Sequence, residues 1–208
     1  MNNLVESIEV LKSSEISEII KMRINEFSKI KNLGGNVIFR ELCFCIMTAN
    51  CGAEKCIEIH EKIGGKFNTL TELKLTGRFK EYGYRFPNIR SRFIVEARKS
   101  KAELENTIKS ELNNNNLREW IVRNIKGIGY KEASHFLRNI GFTNYAIIDF
   151  HIIDLLVRHG LINRPKTLTK RKYLEIENIL KNLAGKLNLN LAELDLYLWF
   201  LETGKVLK

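Results

Sequence analysis

The sequence has few residues that break helices and no long apolar run. It contains only two prolines, Pro87 and Pro165, and no stretch alternates apolar and polar residues for long enough to predict a strand. No apolar run reaches the roughly 20 residues that a membrane-spanning helix needs, and the amphipathic, partly acidic N-terminus is unlike a signal peptide. We therefore expect an all-α protein in the cytoplasm, with no membrane partner.

Cysteines are few and confined to one part of the chain. All four lie in one helical-looking stretch before residue 57, at Cys43, Cys45, Cys51 and Cys56. Their spacing fits neither a paired C-x-x-C zinc site nor a secreted disulfide framework. The favoured interpretation is that they are small buried side chains.

Cationic residues are in large excess over acidic ones. The chain has 34 Lys and Arg against 24 Asp and Glu, which gives a formal net charge of +10. An excess of this size indicates a polyanionic partner such as nucleic acid. The alternative is that the surplus lysines only solvate helix surfaces.

Apolar residues at helical spacing predict a chain of helices joined by short connections. The predicted helices lie near residues 3–12, 15–28, 37–49, 53–63, 69–75, 88–99, 101–111, 116–124, 130–140, 149–158, 169–187 and 190–201. Breakers rich in glycine or asparagine separate them at 34–35, 64–65, 83–87, 113–116, 127–129 and 141–144.

The segment NIKGIGYKEASHFLRN, residues 124–139, predicts two helices joined by a tight glycine hairpin. Gly127 and Gly129 allow positive φ and close backbone approach. The N–H groups that open the second helix can then face a DNA phosphate, assisted by the helix dipole. The open alternative is that the glycines only cap and turn the chain.

Two polar residues near this hairpin are candidates for chemistry. Lys131 lies in the first turn of the second helix, where a cation opposes the helix dipole and helix stability would favour Asp or Glu. Its placement therefore indicates a role, and a lysine amine can form a Schiff base. Asp149 ends an apolar run just before another helix. It is either a plain N-cap, contributing about 1 kcal/mol, or a functional carboxylate.

Together, IKGIGYKEASHFLRN and the later AIIDFHIID resemble the helix-hairpin-helix and Gly/Pro-Asp loop of base-excision DNA glycosylases, above all the archaeal-type 8-oxoguanine DNA glycosylase/AP lyases. The motifs ELCFCIMTAN, YRF, KRKYLEIENIL and LDLYLWFLETGKVLK extend the resemblance over nearly the whole chain. It implies two α-helical lobes with a DNA-binding cleft between them. One lobe would span about 36–140 and end in the helix-hairpin-helix at about 116–140. The other would combine 1–35 with 141–208.

The resemblance also implies a mechanism and a partner. Lys131 would attack the deoxyribose anomeric carbon, expel 8-oxoguanine and hold the sugar as a Schiff base, from which the strand is cleaved by β-elimination. Asp149, eighteen positions later, would stabilise cationic character on the sugar, position the lysine and cap its helix. The protein would be a monomeric DNA repair enzyme that acts on double-stranded DNA containing 8-oxoguanine.

Further site residues are implied by the same resemblance. Phe86 would enter the base stack as a wedge, Arg85 would contact the orphaned base, and Asn50 would lie at the vacated position. In isolation, Phe86 fits a core position as well.

The damaged base would occupy a pocket formed by Asp195, Trp199 and the C-terminal Lys208. Asp195 and Trp199 are four residues apart, so simple packing of one helix face remains an alternative for them.

No cofactor is required in this family. Hairpin carbonyls of related glycosylases bind a monovalent or similar cation, and the matching positions here are Arg123, Ile125 and Ile128. Relatives with an iron-sulfur cluster carry four cysteines near the C-terminus, so no such cluster is expected. Phe150 departs from the archaeal sequences, in which the position after the catalytic Asp is commonly Arg.

Two other functions stay open. A non-catalytic helix-hairpin-helix module would bind normal and damaged duplex alike, with a steep salt dependence, and would need neither Lys131 nor Asp149. A glycosylase for another oxidised base would share the chemistry. The ending from Trp199 to Lys208 and the absence of a cysteine cluster argue against it.

Overall fold

Twelve α-helices and no strand make up the described part of the chain, residues 2–110 and 114–208 of a computed structural model. The predicted all-α fold class is confirmed. None of the described helices is long and apolar enough to cross a bilayer. The helices are α1 (Asn2–Lys12), α2 (Glu15–Ile30), α3 (Gly35–Thr48), α4 (Ala53–Ile63), α5 (Glu72–Glu81), α6 (Pro87–Ala97), α7 (Lys101–Lys109), α8 (Asn114–Asn124), α9 (Tyr130–Asn139), α10 (Phe150–Arg158), α11 (Lys170–Lys186) and α12 (Leu191–Thr203).

Most predicted helices differ from the observed ones only at their ends, but α5 is displaced along the chain. Apolar spacing predicts 69–75, whereas the helix runs over Glu72–Glu81. Its N-cap is Thr71, whose hydroxyl accepts a hydrogen bond from the Lys74 N–H at 3.4 Å. Gly77 lies within this helix at an exposed position and does not end it.

The asparagine run at 113–116 was predicted to be a connection. Residue 113 lies outside the described residues, as does residue 111 at the end of a predicted helix. From residue 114 onwards the run already belongs to α8, two residues before the predicted start of that helix.

Buried apolar side chains form two clusters. The first cluster is built from residues between Ile38 and Tyr145, on α3 to α9. The second cluster combines residues between Leu4 and Phe27 with residues between Ala146 and Leu198, on α1, α2 and α10 to α12. The chain therefore returns to its N-terminal helices after α9. The lobe boundaries themselves remain a prediction from the sequence.

The connection after α9 turns tightly against α2. Gly141 has a φ of +97°, and a Cβ there would lie 2.8 Å from the Cα of Ser28 and 3.1 Å from the carbonyl oxygen of Phe27. Only glycine fits such a contact. The chain then runs without helix from Thr143 to Asp149 and enters α10, so this turn sets the course of the segment that ends at Asp149.

Candidate active site

A cavity of about 460 Å³ is lined by residues of α3, α9, α10, α12 and the end of the chain. A concave site in which a few polar groups converge among apolar walls is the usual form of a ligand pocket. The cavity brings together residues that are far apart in sequence. Seven of the predicted site residues line it: Asn50, Arg85, Lys131, Asp149, Asp195, Trp199 and Lys208.

Lys131 lies in the first turn of α9, as the sequence predicts. One oxygen of the neighbouring Glu132 accepts a hydrogen bond from the Gly129 N–H at 3.2 Å. Its other oxygen lies 3.2 Å from Lys131 Nζ. The Glu132 carboxylate therefore offsets the unfavourable position of a cation at the start of a helix. The lysine side chain keeps 25% of its exposure and contributes its surface to the cavity wall.

Asp149 is the N-cap of α10, so the predicted cap is confirmed. Its backbone is extended, with φ −109° and ψ −172°, and its Oδ1 accepts a hydrogen bond from the Ile152 N–H at 3.0 Å. This cap uses one carboxylate oxygen. Because Asp149 also lines the cavity, capping and a chemical role can coexist.

Asp195 is a buried carboxyl group with an incomplete ion pair. Its Oδ2 lies 3.6 Å from Nη1 of Arg138, and the two side chains are only 11% and 4% exposed. Burial raises the pKa of Asp195 to about 6, the nearby Asp149 charge adds to the rise, and Arg138 opposes it. Burial also lowers the pKa of Arg138. A perturbed acid in a cleft is typical of functional sites.

Three buried donor groups on two side chains of this cavity have no hydrogen-bond partner among the described residues. They are Nε1 of Trp199 and the Nε and Nη1 groups of Arg138. Buried donors without partners are costly. A ligand that supplies acceptor oxygens could satisfy them.

An aromatic series runs along one wall of the cavity. The ring of His151 meets Trp199 edge to face at 5.2 Å, and its other neighbour is Phe150 at 3.9 Å. Phe150 is 65% exposed, although it lines the cavity. Phe150 therefore places an open aromatic surface beside Asp149.

Lys208 lines the cavity, but its ammonium group is engaged elsewhere. Its Nζ lies 2.6 Å from Oε1 of Glu41 and 4.9 Å from the ring centre of Phe44. Glu41 is buried on α3 and is absent from the residues that we predicted for the site. The sequence does contain a signal for Glu41, because an acid begins the apolar helical stretch ELCFCIMT. An acid buried with such a stretch needs a charged or polar partner.

The predicted wedge residues lie in two environments. Arg85 and Asn50 line the cavity, where Arg85 Nη1 donates to the Asn50 carbonyl at 3.4 Å. Asn50 has a φ of +60°, a left-handed conformation that Asn adopts more readily than most residues. Phe86 is half-buried against the first cluster, with the Arg85 guanidinium 4.9 Å from its ring centre. It does not line the cavity.

The two hairpin glycines differ from each other. Gly127 has a φ of +81°, and a Cβ there would overlap the ring of Phe93, so this position needs glycine. Gly129 has φ −101° and ψ −168°, which any residue can adopt. The predicted positive φ is therefore wrong for Gly129, which acts as the N-cap of α9 instead.

The cysteines behave as small core residues. Cys43, Cys45 and Cys56 are buried, which confirms the prediction for them, and Cys51 is half-buried at the cavity. Burial raises the pKa of each of the three buried thiols. Within the described ranges, no group of three or more His, Cys, Asp or Glu side chains is placed to hold a metal ion.

Comparisons with known proteins identify close relatives. A family model described as 8-oxoguanine DNA glycosylase (Ogg-HhH) matches residues 20–189. The 8-oxoguanine DNA glycosylase/AP lyase of Korarchaeum cryptofilum is 48% identical over 209 residues, which cover 100% of this chain and 99% of the relative.

Two solved structures have nearly the same fold. The Methanocaldococcus jannaschii 8-oxoguanine glycosylase/lyase, in complex with a 15mer DNA containing 8-oxoguanine, is 51% identical, with a TM-score of 0.95 and 99% of each chain covered. The Thermotoga maritima 8-oxoguanine DNA glycosylase is 41% identical, with a TM-score of 0.93, and covers 100% of this chain and 99% of its own.

Proposed function

This chain belongs to the 8-oxoguanine DNA glycosylase/AP lyase family, and we propose that Lys131 and Asp149 perform its reaction on duplex DNA containing 8-oxoguanine. The observation that carries the proposal is that both side chains line one cavity, together with buried donors that have no partners. A binding-only hairpin has no use for this combination of amine, carboxylate and pocket.

The nucleophile in this proposal is the neutral amine of Lys131. Its nitrogen forms a bond to the anomeric carbon of the deoxyribose while the bond from that carbon to the base breaks, and the base leaves with the electron pair and takes up a proton. The sugar ring then opens to a Schiff base. Loss of a proton from the neighbouring sugar carbon expels the 3′ phosphate, which cleaves the strand. Before attack, the lysine has to leave its contact with Glu132 and lose its proton.

Asp149 supports this step electrostatically. A carboxylate in a cavity of low polarity stabilises positive charge that develops on the sugar. Its cap on α10 holds the carboxylate in place, so it needs little reorganisation when the charge forms.

The extruded base would occupy the same cavity, next to Trp199 and Asp195. Extrusion is needed because the reacting carbon is out of reach inside the duplex. The buried donors of Trp199 and Arg138 suit a base that carries carbonyl oxygens. Arg85 and Asn50 would face the gap in the duplex, with Phe86 as the wedge behind them.

The hairpin would hold the DNA backbone. N–H groups near Gly127 and Gly129 would face a phosphate at the start of α9. The carbonyls of Arg123, Ile125 and Ile128 lie at the end of α8 and in the turn. They would bind a monovalent or similar cation there, because carbonyl oxygens suit hard cations and the C-terminal end of a helix is electronegative. Such a cation would lend positive charge for phosphate binding.

Borohydride trapping on a duplex with one 8-oxoguanine tests the proposal. Wild type should form a covalent adduct that depends on the lesion, and Lys131→Gln should form none. Lys62→Gln, which makes the same change of charge on α4, should behave as wild type. Equal binding of damaged and undamaged duplex without any adduct would favour the binding module, and an adduct only with another lesion would change the substrate.

A further inference from the structure

Four buried polar side chains from α8, α9 and α11 form one hydrogen-bonded group, which we call the Arg118 cluster: Arg118, Ser134, Tyr173 and Glu177. The Arg118 guanidinium makes two hydrogen bonds to the Glu177 carboxylate, at 2.6 and 3.0 Å. Its Nη1 also donates to Ser134 Oγ at 3.2 Å. Such a bidentate pair between a guanidinium and a carboxylate fixes the orientation of both groups.

The guanidinium is enclosed by aromatic rings as well. The ring centres of Tyr130, Tyr145 and Tyr173 lie 5.0, 5.1 and 5.6 Å from its central carbon. Aromatic faces attract a desolvated cation. The Arg118 side chain is therefore held in place by aromatic rings from α9, α11 and the segment after α9.

This cluster holds the extended segment that leads to Asp149. Glu177 Oε2 accepts a hydrogen bond from the Ala146 N–H at 3.0 Å. The Tyr173 hydroxyl donates to the Ala146 carbonyl at 2.7 Å and accepts from the Ile148 N–H at 3.2 Å. Ile148 directly precedes Asp149, so the hydroxyl fixes the backbone one residue from the carboxylate.

The same hydroxyl contacts the helix that carries the lysine. It lies 3.2 Å from Ser134 Oγ, and Ser134 donates to the Tyr130 carbonyl in the first turn of α9 at 2.8 Å. Ser134 follows Lys131 by three residues, which places the two on neighbouring parts of one helix surface. Burial raises the pKa of Tyr173, so its hydroxyl keeps the proton that it donates.

We propose that Tyr173, oriented by the Arg118 and Glu177 pair, is a positioning residue that sets the distance between Lys131 and Asp149. It acts through the backbone of Ile148 and through Ser134 and touches neither sugar nor base. The proposal rests on the proposed roles of the lysine and the aspartate. Because a displacement of about 1 Å at a reacting group can cost about 100-fold in rate, the hydroxyl should affect catalysis more than DNA affinity.

Tyr173→Phe removes the hydroxyl and keeps the ring. We expect the single-turnover rate of 8-oxoguanine excision to fall by about tenfold or more. The Kd for the same duplex, measured with Lys131→Gln as the background to prevent turnover, should not change. Hydrogen exchange at the Ile148 amide should become faster. Ser134→Ala removes the contact of Tyr173 with α9 and the hydrogen bond from Arg118 Nη1. It leaves the hydrogen bonds from Tyr173 to Ala146 and Ile148 in place and should give a smaller loss of rate.

A core variant distinguishes positioning from lost stability. Ile108→Val shortens a buried side chain on α7, outside the Arg118 cluster, and the two variants are compared at equal distances below their Tm. A loss of rate for Tyr173→Phe that matches Ile108→Val, or that is accompanied by an equal loss of affinity, would overturn the proposal.

Two further results would also overturn it. One is an undiminished rate in Tyr173→Phe despite faster exchange at the Ile148 amide, because the hydrogen bond would then be lost without consequence. The other is a wild type that forms no lesion-dependent adduct, which would overturn the proposed function itself and this inference with it.

Discussion

Replacing Asp195 with Asn tests whether the cavity keeps a carboxylate there at a cost in stability. The distance of 3.6 Å to Arg138 Nη1 is too long for a good hydrogen bond. The loss of hydration on burial therefore outweighs the attraction between the two charges, which is why the pKa of Asp195 rises from 3.8 to about 6. Asparagine keeps nearly the same volume and removes the charge.

The size and sign of the effect follow from this pKa. A rise from 3.8 to about 6 corresponds to about 3 kcal/mol between the two protonation states. The native protein holds the carboxyl proton more tightly than the unfolded chain does. The resulting stabilisation is fully present below about pH 4 and is lost as the pH rises through about 6.

Urea unfolding of wild type and Asp195→Asn between pH 4 and pH 8 measures this directly. The free energy of unfolding of the variant minus that of wild type should increase by up to about 3 kcal/mol over this range. Glu103→Gln, a change of an exposed acid on α7, should show no such trend. A difference that does not vary with pH, or that decreases as the pH rises, would refute the reasoning and mean that Arg138 compensates fully for burial.

Three further substitutions test the cavity and the hairpin. Asp149→Asn keeps a capping side chain, so the free energy of unfolding should change by less than about 1 kcal/mol. The yield of borohydride-trapped adduct should fall by at least about tenfold, because the carboxylate charge is lost. An unchanged yield of adduct would limit Asp149 to capping. Glu41→Gln weakens the hold on Lys208, and the ratio of excision rates for 8-oxoguanine and guanine should fall; a constant ratio would show that this ion pair is dispensable for selection of the base. Gly127→Ala introduces strain at a positive φ and a clash with Phe93, so the free energy of unfolding should drop by about 1–3 kcal/mol. The affinity for DNA, measured by fluorescence anisotropy, should also weaken. Wild-type values of both quantities would refute the need for glycine there.

Predictions from the sequence succeed where neighbouring residues determine the outcome. The N-cap at Asp149 follows from an apolar run that ends in an acid before a helix, and the position of Lys131 follows from the glycine hairpin before it. The argument from helix stability considered the lysine alone. Glu132, one residue later, reduces the conflict between the lysine and the helix dipole. The argument from helix stability therefore supports a role for Lys131 less strongly than its location at the cavity does.

Contacts that join distant parts of the chain could not be predicted in this way, although they set the geometry of the site. Lys208 pairs with Glu41 across 167 positions, and Arg118 pairs with Glu177 across 59. A charged residue within an apolar helical pattern indicates that a partner must exist, because a buried charge without one is costly. It does not indicate which partner, since many lysines and acids satisfy the same local pattern. The residues that we propose to react can therefore be predicted from short motifs, whereas the residues that we propose to position them become visible only when the helices are packed.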